Sequence, residues 1–204
     1  MKKSTLVFCI FGFLVIILIV GACSSYNGMV KSEEKVDKTW ADVQASYQRR
    51  FDLIPNLVNT VKGYAEHEKS TLENVTNARA GLISAGDSLM ALQKNLSAFK
   101  PNENGPSIEQ MEQLAGRMNL YINAVHEAYP DLKANENFLD LQKQLESTEN
   151  RINTERNNYN EAVQNYNVTI RTFPRNIFAG IFGFQRKNQF AASSEAQSAP
   201  TVSF

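Results

Sequence analysis

The sequence predicts an all-α protein, an up-down-up-down four-helix bundle with long helices that follows an N-terminal membrane segment. Two observations predict this class. Apolar residues recur at helical spacing over most of the chain, and residues 6–22 carry no charge. Ten glycines and six prolines in 204 residues are few for a β-rich or loop-rich fold. We therefore expect a membrane anchor or lipoprotein signal over 1–25, a helical bundle over 26–187 and a flexible tail over 188–204.

The clearest helical pattern covers residues 135–173. Large apolar or aromatic residues recur there every seven positions, at Phe138, Leu145, Ile152, Tyr159, Tyr166 and Phe173. A heptad repeat places such residues on one face of a helix, where they meet a neighbouring helix. A similar stripe, preceded by a capping box at Ser107 and Gln110, predicts a second helix over 108–128.

Two further apolar stripes, over 26–50 and 54–84, lie on either side of Pro55. Because proline disfavours the helical conformation in the residue before it, we expect a tight antiparallel turn here, with Asp52 as the N-cap of the second helix. A kinked continuous helix is the alternative. Gly86-Asp87-Ser88 is expected to break the pattern again, before a shorter helix.

The uncharged residues 6–22 would span roughly 26 Å as a helix, just enough for a thin bilayer. Two interpretations remain open. In the first, the segment is a retained signal anchor that spans the membrane. In the second, Val20-Gly21-Ala22-Cys23 resembles a bacterial lipobox, and Cys23 is lipidated after cleavage. In both, the signal-like order that begins with Lys2-Lys3 favours export of the bundle to the periplasmic or extracellular side.

Composition and spacing point away from several kinds of chemistry. With 21 basic and 21 acidic residues, the chain has no strong field to recruit nucleic acid. Its two histidines, His67 and His126, are far apart, whereas a helical zinc site commonly uses a pair at i and i+4. There is also no glycine loop of the phosphate-binding type. We expect no catalytic residues, no metal, no cofactor and no small-molecule substrate.

Particular residues, and not only their periodicity, resemble those of a known family. The resemblance is carried by Tyr26-Asn27-Gly28-Met29-Val30, Gln48-Arg49-Arg50-Phe51-Asp52-Leu53-Ile54-Pro55-Asn56-Leu57-Val58, Tyr129-Pro130-Asp131-Leu132-Lys133-Ala134-Asn135, Tyr159-Asn160, Tyr166-Asn167 and Ala179-Gly180-Ile181-Phe182-Gly183-Phe184. From Tyr26 to its end, the chain closely resembles the LemA family of bacterial membrane proteins. The resemblance implies a short N-terminal membrane segment, an exported helical bundle, no established enzymatic activity and no cofactor. Cys23, at the end of the tether, departs from the common pattern.

These features favour a non-catalytic, membrane-tethered envelope protein that acts as a scaffold or adaptor. Its partners would be the membrane, through residues 6–22, and envelope proteins whose identity the sequence does not specify. The alternative is a subunit or regulator of an envelope enzyme such as a protease, or an enzyme with an unrecognised site.

Charged residues inside the apolar stripes are candidates for ion pairs between helices. Glu33 and Arg79 lie at similar levels by helical rise, so we predict that they form a salt bridge. Arg50 also occupies a position that ought to face other helices. The alternative is that such residues lie at the edge of a wide stripe and extend to water.

Two C-terminal features are candidate contact sites. Ile177, Phe178, Ile181, Phe182 and Phe184 form an apolar segment between basic residues, which would rest in the lipid interface or fold back onto the bundle. The tail ends on Val202 and Phe204, whose side chains would project from the same face of an extended strand beside the terminal carboxylate. PDZ-type domains bind such an arrangement. The alternative is that these two residues have no partner or pack against the bundle.

The two anchor interpretations differ in the mass of the mature N-terminus. The lipobox interpretation predicts that the mature protein begins at a diacylated Cys23 and that Cys23→Ser blocks its processing. The retained helix predicts an intact chain with residues 1–22 present. Mass spectrometry of the mature protein and of the Cys23→Ser variant distinguishes them. An unprocessed wild-type N-terminus contradicts lipidation.

Overall fold

A computed structural model describes residues 3–71, 77–97 and 107–190, and every regular element in these ranges is helical. The prediction of an all-α protein is therefore confirmed. The elements are α1 (Lys3–Phe51), α2 (Ile54–Thr71), α3 (Asn77–Ser97), α4 (Ile108–Ala128), a 3₁₀ helix (Pro130–Ala134), α5 (Glu136–Arg171) and α6 (Arg175–Phe182).

The chain divides into two compact units. The anchor unit combines Met1–Val43 with Thr154–Phe204, and so contains most of α1, the second half of α5 and α6. The central unit is Gln44–Asn153, with the end of α1, helices α2 to α4 and the first half of α5. The up-down-up-down order of the helices remains a prediction.

The predicted boundaries of α4 and α5 agree closely with the structure, because both helices have local start signals. The Ser107 hydroxyl accepts a hydrogen bond from the Gln110 amide, and the Gln110 side chain accepts one from the Ser107 amide. This is the predicted capping box. At the start of α5, the Asn135 carboxamide oxygen accepts from the Phe138 amide.

The expectation that Phe173 continues the heptad face of α5 is wrong. The helix ends at Arg171, and the Phe173 side chain is 77% exposed. Pro174 follows directly, and a residue before proline is disfavoured in the helical conformation. The heptad pattern in the sequence therefore continues two residues beyond the end of the helix.

The predicted interruption between α1 and α2 is confirmed. The antiparallel direction of the two helices remains a prediction, with a kinked arrangement as its alternative. Two residues, Asp52 and Leu53, separate the helices. The predicted cap is wrong, however. The first hydrogen bond of α2 runs from the Leu57 amide to the Leu53 carbonyl, whereas the Asp52 carboxylate accepts from Gln48 Nε2 at 2.7 Å. Asp52 therefore closes α1 and does not cap α2.

Arg50 ties three helices of the central unit together. Its side chain is buried, pairs with Glu149 on α5 and donates from Nη2 to Asn119 Oδ1 on α4 at 2.7 Å. Burial lowers the pKa of this guanidinium, since the charged form loses hydration. The prediction that Arg50 forms an ion pair between helices is thus confirmed. The alternative, a side chain that extends to water from the edge of the apolar stripe, is wrong for this residue. Removing one partner would leave the other charge uncompensated.

The expected break at Gly86-Asp87-Ser88 is wrong, because α3 runs through all three residues. A Cβ at Gly86 would lie 2.8 Å from Tyr121 Oη on α4 and 3.0 Å from Val58 Cγ1 on α2. Glycine at this position thus allows α3 to approach both neighbouring helices closely. The loss of helix propensity, on the order of 1 kcal/mol, is offset by this packing.

The Tyr121 hydroxyl is enclosed by this contact. Its oxygen is buried and has no hydrogen-bond partner among the described residues. Burial, with smaller contributions from Tyr129 and Asp87, raises the pKa of Tyr121 to about 12. The hydroxyl therefore remains protonated at neutral pH, and it packs against the backbone of Gly86 without room for a methyl group.

We predict opposite effects of alanine at two helical glycines. Gly86→Ala should lower the thermal unfolding temperature, because its methyl group would displace the Tyr121 ring or Val58. Gly63→Ala on α2 is the matched control, since nothing lies within 4 Å of its Cβ position. That variant should raise the unfolding temperature through helix propensity. Circular dichroism of the full chain in detergent measures both. Equal stabilisation by both substitutions would contradict close packing at Gly86.

Candidate membrane interface

Helix α1 carries the membrane anchor. Among the described residues, it is the one helix long and apolar enough to cross a membrane. Apolar side chains between positions 10 and 20 are exposed, including Ile10, Phe11, Phe13, Ile16 and Val20. A helix with apolar residues on every side, none buried against protein, suits a lipid environment. The N-terminal segment therefore associates the chain with a membrane.

Helix α6 packs beside α1 close to the point where the uncharged segment ends. The ring centroids of Tyr26 and Phe182 lie 5.0 Å apart in an edge arrangement, and those of Tyr26 and Phe184 lie 5.8 Å apart. Tyr26 follows Ala22 by four residues, or about 6 Å of helical rise. The end of α6 therefore lies at about one helical turn from the membrane segment.

The two sides of α6 have different surroundings. Ala179 is buried, and Phe178 is half-buried. Ile177 and Ile181, four residues apart and hence on one face, are 53% and 71% exposed. Phe182 is 44% exposed although it contacts Tyr26. Thus α6 packs with one side and presents an apolar surface with the other.

Basic residues flank this exposed apolar face. Arg171 and Arg175 precede it, and Arg186 follows it; all three are exposed. The Arg175 guanidinium lies close to Gly28 on α1. A Cβ atom added to Gly28 would lie 3.7 Å from Arg175 Nη2. An exposed apolar face with cationic ends is the pattern of a helix that lies in a membrane interface.

Beyond α6, residues 184–190 form an extended segment, which we call the strap. It begins after Gly183, whose φ of 79° is the left-handed conformation that glycine adopts without strain. The strap runs back along α5, where Tyr and Asn side chains bind its backbone. Tyr166 Oη donates to the Gln185 carbonyl at 2.9 Å, and Tyr159 Oη donates to the Asn188 carbonyl at 3.2 Å.

Two asparagines each make a pair of hydrogen bonds with one strap residue. Asn167 donates to the Lys187 carbonyl and accepts from its amide, at 2.9 and 3.0 Å. Asn160 does the same with Phe190, at 3.4 and 2.8 Å. Each carboxamide therefore replaces the backbone partner that a neighbouring β-strand would supply.

The spacing of these contacts follows from simple geometry. Asn160 and Asn167 are seven residues apart, which is about 10.5 Å along a helix. Their partners Phe190 and Lys187 are three residues apart, which is about 10 Å along an extended chain. The distance between Tyr-Asn pairs seven residues apart on α5 thus equals the distance between every third residue of the antiparallel strap.

Lys187 connects the strap to α1 as well. Its Nζ lies 2.7 Å from Asp37 Oδ1 and 3.3 Å from Glu33 Oε1, and 5.6 Å from the centre of the Tyr166 ring. Partial burial alone would lower the pKa of Lys187. The hydrogen bonds and negative charges of Asp37 and Glu33 raise the pKa by more than burial lowers it. The pKa of Lys187 therefore lies above its usual value, and the ammonium remains charged at neutral pH.

An aromatic cluster surrounds the other end of the strap. The Phe190 ring contacts Tyr159 and Trp40, with centroids 5.3 and 5.9 Å apart, and the Arg156 guanidinium lies 4.7 Å from its centre. The strap is therefore attached to α1 and α5 by charge at Lys187 and by ring packing at Phe190.

The structure locates only some of the predicted site residues. Cys23 is exposed on α1 and forms no disulfide, which leaves both anchor interpretations open. Glu33 has Lys187 as an ionic partner, whereas the Arg79 side chain lies outside the described residues, as do Val202 and Phe204. The Glu33–Arg79 pair and the docking tail therefore remain predictions.

Sequence reasoning missed the strap and its receptor side chains. The tyrosines at 159 and 166 were expected in the core, and both are buried, but their hydroxyls also bind the strap backbone. A signal was present in the sequence: each heptad tyrosine is followed directly by an asparagine. The repeated amide on one helical face indicates a role beyond apolar packing.

His126 has a structural environment in the central unit. Its Nε2 lies 2.6 Å from Gln142 Nε2 in a hydrogen-bonded contact, and its ring meets Phe138 edge-on at 5.5 Å. Within the described ranges, no group of three histidine, cysteine or acidic side chains is placed to hold a metal ion.

The fold and this interface define an all-helical protein with one N-terminal membrane helix. The sequence profile of the LemA family matches residues 39–204, and the chain belongs to that family. Two similar proteins are the magnetosome proteins MamQ 1 and MamQ 2 of Paramagnetospirillum magneticum, each 27% identical over 86% of this chain and 68% of its own length. The protein LemA of Metamycoplasma hominis is 24% identical over 75% of this chain and 63% of its own length.

We predict that Asn167 protects the backbone amides of the strap from hydrogen exchange. Asn167→Ala removes both bonds to Lys187. At about 1 kcal/mol for each hydrogen bond, hydrogen exchange in residues 184–190 should become roughly thirtyfold faster. Asn165→Ala, at an exposed position of the same helix, is the control and should leave exchange unchanged. Hydrogen-exchange mass spectrometry of the full chain measures this. Identical exchange in both variants would show that the carboxamide does not retain the strap.

Proposed function

We propose that this protein is a non-catalytic, membrane-tethered scaffold or adaptor that contacts its membrane twice. Helix α1 is the tether, and the exposed face of α6 is a second contact that lies in the lipid interface. The helical units lie on the exported side, as the signal-like order of the N-terminus indicates. The observation that carries this proposal is the exposure of Ile177 and Ile181 on a helix whose last residue, Phe182, packs on Tyr26, about one helical turn from the membrane segment.

The energetics support a lipid contact at α6. Transfer of each exposed isoleucine from water to an apolar medium contributes on the order of 1–2 kcal/mol. Arg171, Arg175 and Arg186 would add attraction to anionic headgroups, about 1 kcal/mol for each residue close to the surface. These contributions are small alone, but α1 already holds α6 beside the bilayer, so no separate association cost arises.

A second contact would give the tether a defined orientation. A single helix leaves the attached domain free to rotate and tilt. In the anchor unit, α6 packs on Tyr26, and the strap joins α6 to α1 and α5 through Lys187 and Phe190. A lipid contact at α6 would therefore hold these helices at a fixed angle to the surface, which a scaffold needs to present partners reproducibly.

The proposal predicts lipid adducts at position 181. The full chain with Ile181→p-benzoylphenylalanine, reconstituted in phospholipid vesicles, should form photo-crosslinks to lipid that mass spectrometry detects. A second substitution, Ile177→Asp, should reduce their yield severalfold, because a carboxylate on the same face opposes insertion.

Two control positions make the result decisive. Phe13, exposed within the uncharged segment of α1, should give lipid adducts in every preparation. Glu161, exposed on α5 in the anchor unit, should give none. Adducts at position 13 but none at 181 would rule out the interfacial contact of α6.

A further inference from the structure

An apolar cavity of about 430 Å³ lies between α3 and α4 in the central unit. Its volume is within the range of small-molecule sites, which are concave and mostly apolar with a few polar groups. Leucine and alanine make up most of the lining: Leu82, Ala85, Leu89, Leu92, Leu120 and Ala124. No acidic side chain is among the described residues that line it. The walls therefore favour an alkyl group over a strongly polar ligand.

The cavity has a buried floor and an open rim. Leu82 and Leu89, seven residues apart and hence on one face of α3, are buried. Leu120, on the α4 side, is 70% exposed. A single exposed leucine is common on protein surfaces, but this one borders a cavity whose other walls are mostly apolar. An alkyl chain in the cavity would therefore remove the apolar surface of Leu120 from water.

A cation marks one end of the cavity on α4. Arg117 is the one charged residue among the described residues of the lining, and it is exposed. Ala124, seven residues further on, ends the α4 wall about 10 Å away. The ion pairs among the described residues do not include Arg117, whereas Asp87 on α3 pairs with Lys62 at 2.6 Å. The α4 wall thus runs from a cation at the solvent edge to apolar side chains.

We propose that this cavity binds the alkyl chain of a free fatty acid, with the carboxylate beside Arg117 at the rim. The apolar walls supply most of the affinity, because each methylene removed from water strengthens binding about fourfold. An exposed ion pair adds little affinity, but it sets the direction of the chain, from Arg117 toward Ala124. The carboxylate remains hydrated at the rim, so its binding needs no buried charge.

The polarity of the cavity decides between a fatty acid and other apolar ligands. One cation at one end of an apolar cavity matches a ligand with one alkyl chain and one negative charge. A two-chain phospholipid would leave its second chain outside the cavity. An extended peptide would bring backbone amides and carbonyls that the leucine and alanine walls cannot hydrogen-bond.

The test uses dodecanoate with a diazirine at its methyl end as the probe. The full chain in phosphatidylcholine nanodiscs is irradiated with this probe at mildly alkaline pH, so that the carboxyl is ionised, and mass spectrometry of peptides locates the adducts. Adducts on the uncharged segment of α1 report the amount of probe in the bilayer and serve as the internal standard. The wild type should give adducts near Ala124 on α4. Adducts on α1 without any on α4 would overturn the proposal.

Leu120→Ser tests the apolar contact. Because Leu120 is exposed, the fold should be retained, and adducts on α4 should fall roughly tenfold relative to those on α1. Leu139→Ser is the matched control, since Leu139 is 40% exposed on α5 and is not among the lining residues. Its yield should equal that of the wild type. Equal losses in both variants would show that the adducts do not depend on the cavity, and the proposed site would be wrong.

The methyl ester of the same probe tests the carboxylate. Arg117→Gln should lower the α4 adducts of the acid roughly threefold, as for an exposed ion pair, and should leave those of the ester unchanged. Arg117→Lys should retain the adducts of the acid. If Arg117→Gln affects the acid and the ester alike, Arg117 does not bind the carboxylate, and a fatty acid is not the ligand.

Discussion

The anchor unit depends on how the backbone of the strap is hydrogen-bonded. Residues 184–190 belong to no helix or sheet, so their amides and carbonyls need partners from side chains or water. Asn160 and Asn167 supply these partners in pairs, and Tyr159 and Tyr166 supply two further donors. Because the strap is held on α5, it can place Lys187 beside Asp37 and Glu33 and can position Phe184 on Tyr26.

The match between a seven-residue helical repeat and a three-residue extended repeat explains why α5 carries both apolar and polar residues on one side. The tyrosine rings fill the heptad positions that contact α1, as Trp40 and Tyr159 do at 5.5 Å. The adjacent asparagines face the strap. One helix therefore supports two neighbours of different secondary structure, with aromatic packing toward one and amide hydrogen bonds toward the other.

Polar interactions in the central unit have a different role. Arg50 is a buried charge, and the hydrogen bond to Asn119 with the ion pair to Glu149 fixes α1 relative to α4 and α5. Such pairs add little net stability, since desolvation offsets the attraction, but a misaligned helix would leave the charge unpaired.

The sequence by itself determined the all-helical class, the N-terminal membrane segment, and the limits of α4 and α5 to within two residues. These features follow from local signals: a capping box at Ser107, a heptad repeat, and an uncharged stretch at the N-terminus. The apolar and basic composition of the segment around Ile181 could also be read directly. The sequence did not show which of these residues pack against the protein and which are exposed, because that depends on contact with Tyr26.

Only the tertiary structure decided the features that join distant parts of the chain. From local sequence, Gly86 indicates the end of a helix. In the folded protein it lies inside α3, where the absence of a side chain lets Tyr121 and Val58 approach closely. Glu33 has a partner in Lys187, more than 150 positions away in sequence, which helical spacing did not indicate. The pair of Glu33 with Arg79 remains a prediction. Periodicity shows which face of a helix is buried. It does not show which distant segment covers that face, since many segments have suitable apolar or charged side chains and only the folded backbone selects among them.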